Sequence, residues 1–232
     1  VQATLKLDVG FADFASYTQY RYEDVDQSQD LDATGAPIFQ IGIPVRNTTL
    51  SQEILLNSKA GTPLQWTAGL FYFKNKDRYR TFNDTNGRPR DPFGPARLGG
   101  SSTTTESYAA FVDATYALSS SLFVTAGARY AHDRVTGAYY NVGPAQFDLP
   151  SIKNDKVTPR VVVRYKPSSQ ASIYASFTQG YKAGVIDAGG SCQYPPTFVC
   201  NTVKPEKINA YEVGAKFDNR TISLEAAAFY YD

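Results

Sequence analysis

The residues able to do chemistry are few and scattered. Histidine occurs once, as His132 beside Asp133. One imidazole cannot supply the histidine pair of a zinc hydrolase, and any Ser-His-Asp arrangement would rest on it alone. Cysteine occurs twice, as Cys192 and Cys200, with no histidine or third thiol nearby to complete a metal site. What remains is a set of charged and polar side chains, Arg129, Asp133, Arg160, Arg164, Thr178, Lys182, Glu212 and Lys216. A second set is aromatic and lies in or beside Gly/Pro-rich stretches: Phe93, Tyr139, Tyr140, Phe147, Tyr194 and Phe198. Such groups can hold a ligand by charge and by stacking on a planar chelate or sugar ring; most of the charged set is read as lining, and Tyr139 and Tyr140 equally as aromatic residues of an interface. The expected chemistry is binding, with no catalytic residue, no metal ligand and no cofactor.

The elements that position these residues follow from parity. Residues 121–133 put Leu122, Val124, Ala126, Ala128 and Tyr130 on one face and Thr125, Gly127, Arg129 and Asp133 on the other, the period of a two-faced strand. The preceding run alternates likewise, with Tyr108, Ala110, Val112, Ala114 and Tyr116 opposite Ser107, Asp113 and Thr115; Phe111 is an exception on the polar face. Val157, Val161, Val163 and Tyr165 oppose Thr158, Arg160 and Arg164, and Ile173, Ala175 and Phe177 oppose Ser172, Ser176 and Thr178. Two last runs oppose Tyr211, Val213, Ala215 and Phe217 to Glu212 and Lys216, then Ile222, Leu224, Ala226 and Ala228 to Ser223 and Glu225. Noisier strands are expected over 1–9, 13–23, 47–59 and 64–80. By parity His132 falls on the apolar face, beside Tyr130.

Connections alternate in length. Short ones near 10–12, 60–63, 118–121, 167–170 and 218–220 carry Gly61, Pro63, Ser119, Ser120, Pro167, Ser168, Asp218 and Asn219, the chemistry of tight hairpins. Long ones over roughly 24–46, 82–103, 137–154 and 183–203 are rich in Gly, Pro, Asn and Asp. A transmembrane barrel segregates short turns to one end and long loops to the other, which a soluble sandwich or propeller has no reason to do. Composition agrees: 17 Tyr and 14 Phe in 232 residues suit strands with one wet and one apolar face. Mean hydropathy of −0.35 is compatible with a barrel wall, where only alternate residues meet lipid. With 23 basic and 22 acidic residues spread along the chain there is no basic stripe or arm, so nucleic acid is not an expected partner. The fold expected is all-β, an antiparallel up-and-down transmembrane β-barrel segment of about ten strands. Pro159 is read as sitting near the start of its strand, where a missing N–H costs little.

Ordered motifs then give a resemblance. Glu106-Ser-Tyr-Ala-Ala-Phe-Val-Asp-Ala-Thr-Tyr116 followed by Leu122-Phe-Val-Thr-Ala-Gly-Ala-Arg-Tyr130 resembles a hairpin of the TonB-dependent outer-membrane receptors. Thr158-Pro-Arg160 with Ile173-Tyr-Ala-Ser-Phe-Thr-Gln-Gly-Tyr-Lys-Ala-Gly184 is similar to another strand pair of that family. Lys204-Pro-Glu206 and Tyr211-Glu-Val-Gly-Ala-Lys216, leading into Ser223 to Tyr230, resemble a third.

The resemblance implies a partial barrel domain over 1–232, part of a barrel of about 22 strands, without the plug domain. The absence of Met, the build of Val1 to Leu7 and the last residue Asp232 lead to the expectation that the chain is an interior slice of the wall. It implies the outer membrane of a Gram-negative bacterium and active uptake of a scarce nutrient, foremost an iron siderophore. The implied partners are TonB, through the plug, with its inner-membrane energising complex, a ligand such as a ferric siderophore, and outer-membrane lipid. Folding through an oxidising periplasm implies a Cys192–Cys200 disulfide. Asp133, Arg160 and Lys182, expected near the extracellular end of the lumen, and the loop residues Tyr194 and Phe198 are the ligand-binding candidates. A passive porin-like channel and an outer-membrane barrel hydrolase using His132 are the alternatives.

Overall fold

The computed structural model describes residues 1–30, 33–35, 39–85, 99–140, 146–187 and 201–232. Thirteen strands occur among them: β1 (Gln2–Asp8), β2 (Ala12–Asp30), β3 (Phe39–Ser58), β4 (Leu64–Thr85), β5 (Gly99–Ala117), β6 (Leu122–Tyr140), β7 (Gln146–Asp148), β8 (Ile152–Tyr165), β9 (Ala171–Lys182), β10 (Val185–Ile186), β11 (Thr202–Val203), β12 (Glu206–Asp218) and β13 (Ser223–Tyr231). Ten form one meander in the order β1-β2-β3-β4-β5-β6-β8-β9-β12-β13, with β7 beside β6, and β10 and β11 make a separate ribbon. Each meander strand pairs antiparallel with its neighbour in sequence, as an up-and-down wall requires.

Local chemistry sets the short turns. Gly10 and Gly61 take φ of +86° and +92°, a left-handed region in which a Cβ is strained. Ser119 Oγ accepts from the backbone N–H of Ser121 and Leu122 at 3.2 and 3.0 Å, and Asn219 Oδ1 accepts from Thr221 and Ile222 at 2.8 and 2.7 Å. These side chains replace the backbone partners that a tight reversal removes.

The wall has two faces and no globular core. No large side chain among the described residues is fully buried, while Leu70, Val112, Val161, Val163, Val213 and Leu224 all stand exposed on the apolar face. Polar groups on that face satisfy one another: Thr18 Oγ1 donates to Gln52 Oε1 at 2.5 Å and Gln52 Nε2 donates to Ser16 Oγ at 2.8 Å.

The strands are longer than the apolar alternation indicates. β2, β3 and β4 run 19, 20 and 22 residues, so they take up much of the segments expected as loops over 24–46 and 82–103. A tilted crossing of the hydrocarbon layer needs only about 9–11 residues. Beyond that depth both faces meet water, so Asp24, Asp26, Asn47, Asn75 and Asp77 fit the ladder without any apolar partner face. Their cross-strand bonds, such as Arg46 Nε to Asp24 Oδ2 at 3.1 Å and Asn75 Nδ2 to Thr49 Oγ1 at 3.2 Å, continue the sheet.

Candidate functional site

On the polar face, long side chains lie across small residues of the next strand. Asp113 of β5, Gly127 of β6 and Arg160 of β8 are in register. Arg160 Nη1 donates to Asp113 Oδ2 at 2.7 Å, over the strand between them. A Cβ at Gly127 would meet Asp113 Oδ2 at 2.5 Å, so glycine is what leaves the bridge its path. Phe111 lies over Gly69 in the same way, and the Arg129 guanidinium sits 5.5 Å from the Phe111 ring centroid and 5.3 Å from that of Phe71. The parity exception at Phe111 is therefore an aromatic partner for a cation. Tyr174 covers Gly214 and donates its hydroxyl to Glu212.

Arg160 does not stand at the long-loop end where it is expected. β8 starts at Ile152, before the first apolar residue of its pattern, so Arg160 falls in the half nearer the 166–170 turn and is held by Asp113. Pro159 is likewise inside its strand. The β8–β9 ladder runs from Tyr165↔Ile173 to Arg160↔Thr178 and stops there. Proline has no N–H to give to the next rung. Above it residues 152–159 pair only with β6, and 179–182 only with β12: the wall forks.

Three residues meet at the fork. Asp133 of β6 is only 7% exposed and in register with Asn154 of β8. Its charge acts on the Tyr181 hydroxyl of β9. Asn154 Nδ2 is buried without a hydrogen-bond partner, an arrangement that is costly unless a further group satisfies it, and the buried Tyr181 hydroxyl has the Asp133 carboxylate beside it. Above them Val135, Leu149 and Ile186 form a small apolar cluster, which folds the β10–β11 ribbon back over β6. Lys182 is close by in sequence but points away to solvent, 3.8 Å from Glu206 and 75% exposed. Of the candidates, Asp133 is thus buried in a polar cluster with Asn154 and Tyr181, Lys182 is peripheral, and Arg160 belongs to a structural bridge. Tyr181 and Asn154 are the residues that sequence reasoning missed; the signal was a proline inside a strand. Tyr194, Phe198, Phe93, Cys192 and Cys200 lie outside the described residues.

His132 is on the apolar face, as parity requires. Its Nδ1 is 2.8 Å from Asp155 Oδ1, which also accepts from Tyr130 Oη at 2.5 Å.

Comparison with known proteins decides what this wall belongs to. The family model for the TonB-dependent receptor-like β-barrel matches residues 1–232. The chain belongs to the TonB-dependent receptor family. A relative is the pesticin receptor of Yersinia enterocolitica, 28% identical over 133 residues, 55% of this chain and 19% of that protein. The solved ferric yersiniabactin uptake receptor FyuA from Yersinia pestis superposes with a TM-score of 0.81 at 20% identity, over 99% of this chain and 34% of FyuA. The copper transporter OprC superposes with a TM-score of 0.76 at 12% identity, over 99% of this chain and 38% of OprC. The chain therefore spans about a fifth of its curated relative and about a third of these structures. As a TonB-dependent receptor barrel it lies in the outer membrane of a Gram-negative bacterium. Its apolar face meets lipid, its polar face lines the lumen, and its short turns are periplasmic. The fork, Asp133 and the β10–β11 ribbon are then at the extracellular mouth.

Proposed function

We propose that this chain forms wall and mouth of an active transporter that takes up a scarce nutrient, foremost a ferric siderophore, with energy delivered by TonB through a plug domain. The match of the receptor-barrel model to all 232 residues carries this reading. The name of the ferric yersiniabactin receptor supports iron as the cargo, the pesticin receptor's name supports a receptor role, and the copper transporter among the neighbours has the same fold with another cargo in its name. In this reading Asp133, with Tyr181 and Asn154, accepts a donor group of the ligand at the mouth. Lys182, Tyr194 and Phe198 are outer contacts, and the Cys192–Cys200 disulfide holds the loop that carries the last two. Arg160 orders the wall beneath. No bond of the cargo is broken, which fits a family made up of transporters and receptors.

The test is uptake of radiolabelled iron by cells carrying the complete parent protein, challenged with a panel of ferric siderophores. One siderophore should be taken up, with uptake abolished by deletion of TonB and cut at least tenfold by Asp133→Ala at unchanged surface level. Uptake indifferent to TonB would establish a passive channel instead. Hydrolysis of an ester or peptide that disappears in His132→Ala would establish an enzyme.

A further inference from the structure

Register and parity together fix which side chains share a face of the wall. Above the row Tyr72–Tyr108–His132, toward the extracellular side, the two faces differ in the sign of their charge. On β4, β5, β6 and β8 the outward face at that height carries Lys74, Lys76, Arg78, Arg134 and Lys153 against Glu106. The lumen face of the same strands carries no cation there among the described residues; its charged groups are Asp77 and Asp133. On β2 the lumen-facing Arg21 is already bound to Glu23.

The two acids frame a strip of neutral polar groups. Asp77 is in register with Thr103 and Asp133 with Ser107, and Thr105 lies between those two on β5. Three hydroxyls thus run from one carboxylate to the other, about 17 Å along the sheet. Neither carboxylate has a cation in contact among the described residues. Asn47 donates to Asp77, whose carboxyl is raised above its ordinary value by burial, lowered by that bond and raised again by Glu23. Beside Asp133, Asn154 Nδ2 is a buried donor without an acceptor. Charges in water act over about 8–10 Å at physiological salt, so this side of the mouth keeps its own sign whatever stands across the lumen.

We propose that this side of the mouth selects a chelate without net negative charge, one that presents ammonium, hydroxyl or amide groups to Asp77, Asp133 and the β5 hydroxyls. A hydroxyl or amide of the ligand donates to Asp133 and accepts from Asn154 at once, which leaves no buried polar group unpaired. A cationic group is drawn in by the field of the two carboxylates. A chelate rich in carboxylate or catecholate meets the same field as repulsion, with no lumen-facing cation on these strands to offset it. The inference rests on the reading of the mouth as the place where a ferric siderophore enters, and narrows it to one class of chelate.

The experiment reads the potential directly, on the complete receptor purified in an uncharged detergent. Single cysteines replace Thr103, on the lumen face, and Thr104, the next residue and so on the outward face. Each is reacted with a cationic trimethylammonioethyl and an anionic sulfonatoethyl methanethiosulfonate, with the background of the unsubstituted protein subtracted. Both reagents attack the same thiolate, so the ratio of their rates reports the sign and size of the local potential. The cation-to-anion ratio should be at least fivefold higher for Thr103→Cys than for Thr104→Cys, and the difference should collapse at about 1 M salt, where screening reaches about 3 Å. Asp77→Asn should lower the ratio of Thr103→Cys about twofold, and D77N/D133N further. Heat-modifiable migration identifies folded variants, and Thr105→Cys serves in place of Thr103→Cys should that one not fold. In iron uptake, a ferric tris-hydroxamate with a free ammonium should be preferred to an anionic ferric tris-catecholate. Equal ratios on the two faces, no response to Asp77→Asn, or preferred uptake of the tris-catecholate would overturn the proposal. A receptor that takes up no ferric chelate would instead sink the iron reading, while the thiol ratios still decide the sign of the mouth.

Discussion

At the scale of single residues, steric room matters more than charge in this wall. The Asp113–Arg160 pair has a 2.7 Å contact, but its side chains are 36% and 47% exposed, so water screens it and its loss costs about 1 kcal/mol or less. Asp113→Asn should therefore shift the urea midpoint of the refolded complete protein only slightly. Gly127→Val places a branched side chain where Asp113 already lies, and overpacking of this kind costs about 1–3 kcal/mol. It should produce the larger shift, and equal shifts for the two variants would contradict this ordering. At the periplasmic rim, Lys59 in the turn after β3 is bound by Asp13 and, at 2.9 Å, by Asp8. Hydrogen bonding to Asp13, then to Asp8, raises the Lys59 ammonium above its ordinary value of 10.5. A raised cation contributes its stabilisation below the unfolded value and loses it as the pH climbs through the folded one. The Lys59 resonance should accordingly stay protonated at pH 10.5 in the folded barrel, and Asp13→Asn should bring its titration back toward that value.

At the scale of elements, the fork between β8 and β9 is the main departure from a regular ladder. Its position follows from Pro159, whose partner in a continued register would be Gln179. Pro159→Val restores an N–H at that rung, worth about 1 kcal/mol as one backbone hydrogen bond. Hydrogen exchange of peptides covering 156–159 and 179–182 should slow about fivefold, as that energy implies. Unchanged exchange would mean that the buried Tyr181 and Asn154, and not the proline, hold the strands apart. Parity made the paired part of β8 and β9 legible. It could not show the fork, because alternation is a property of one strand and a ladder belongs to two. The same limit misplaced Arg160: its strand continues through Lys153 and Asp155, residues whose polarity reads as loop.

At the scale of the whole molecule, β1 and β13 pair on one side only. In lipid every backbone N–H and C=O needs a partner, and an open edge leaves a row without one. Residues 1–232 expressed alone should therefore fail to give the heat-modifiable band of an inserted barrel, whereas the complete receptor gives it; a stable inserted monomer from this chain would contradict the reading. What the sequence by itself determined is whatever is written locally. The period of two assigned each residue a face, Ser119, Asn219 and Gly61 made the hairpins, loop length assigned the two ends, and the ordered motifs pointed to the family. Only the tertiary structure decided which residues meet across strands: Asp113 with Arg160 over Gly127, Arg129 with Phe71 and Phe111, Asp133 with Tyr181 at the fork, and Arg134 opposite Lys153. These partners are separated by tens of residues, and their meeting depends on register, which the backbone hydrogen bonds fix by joining one strand to the next.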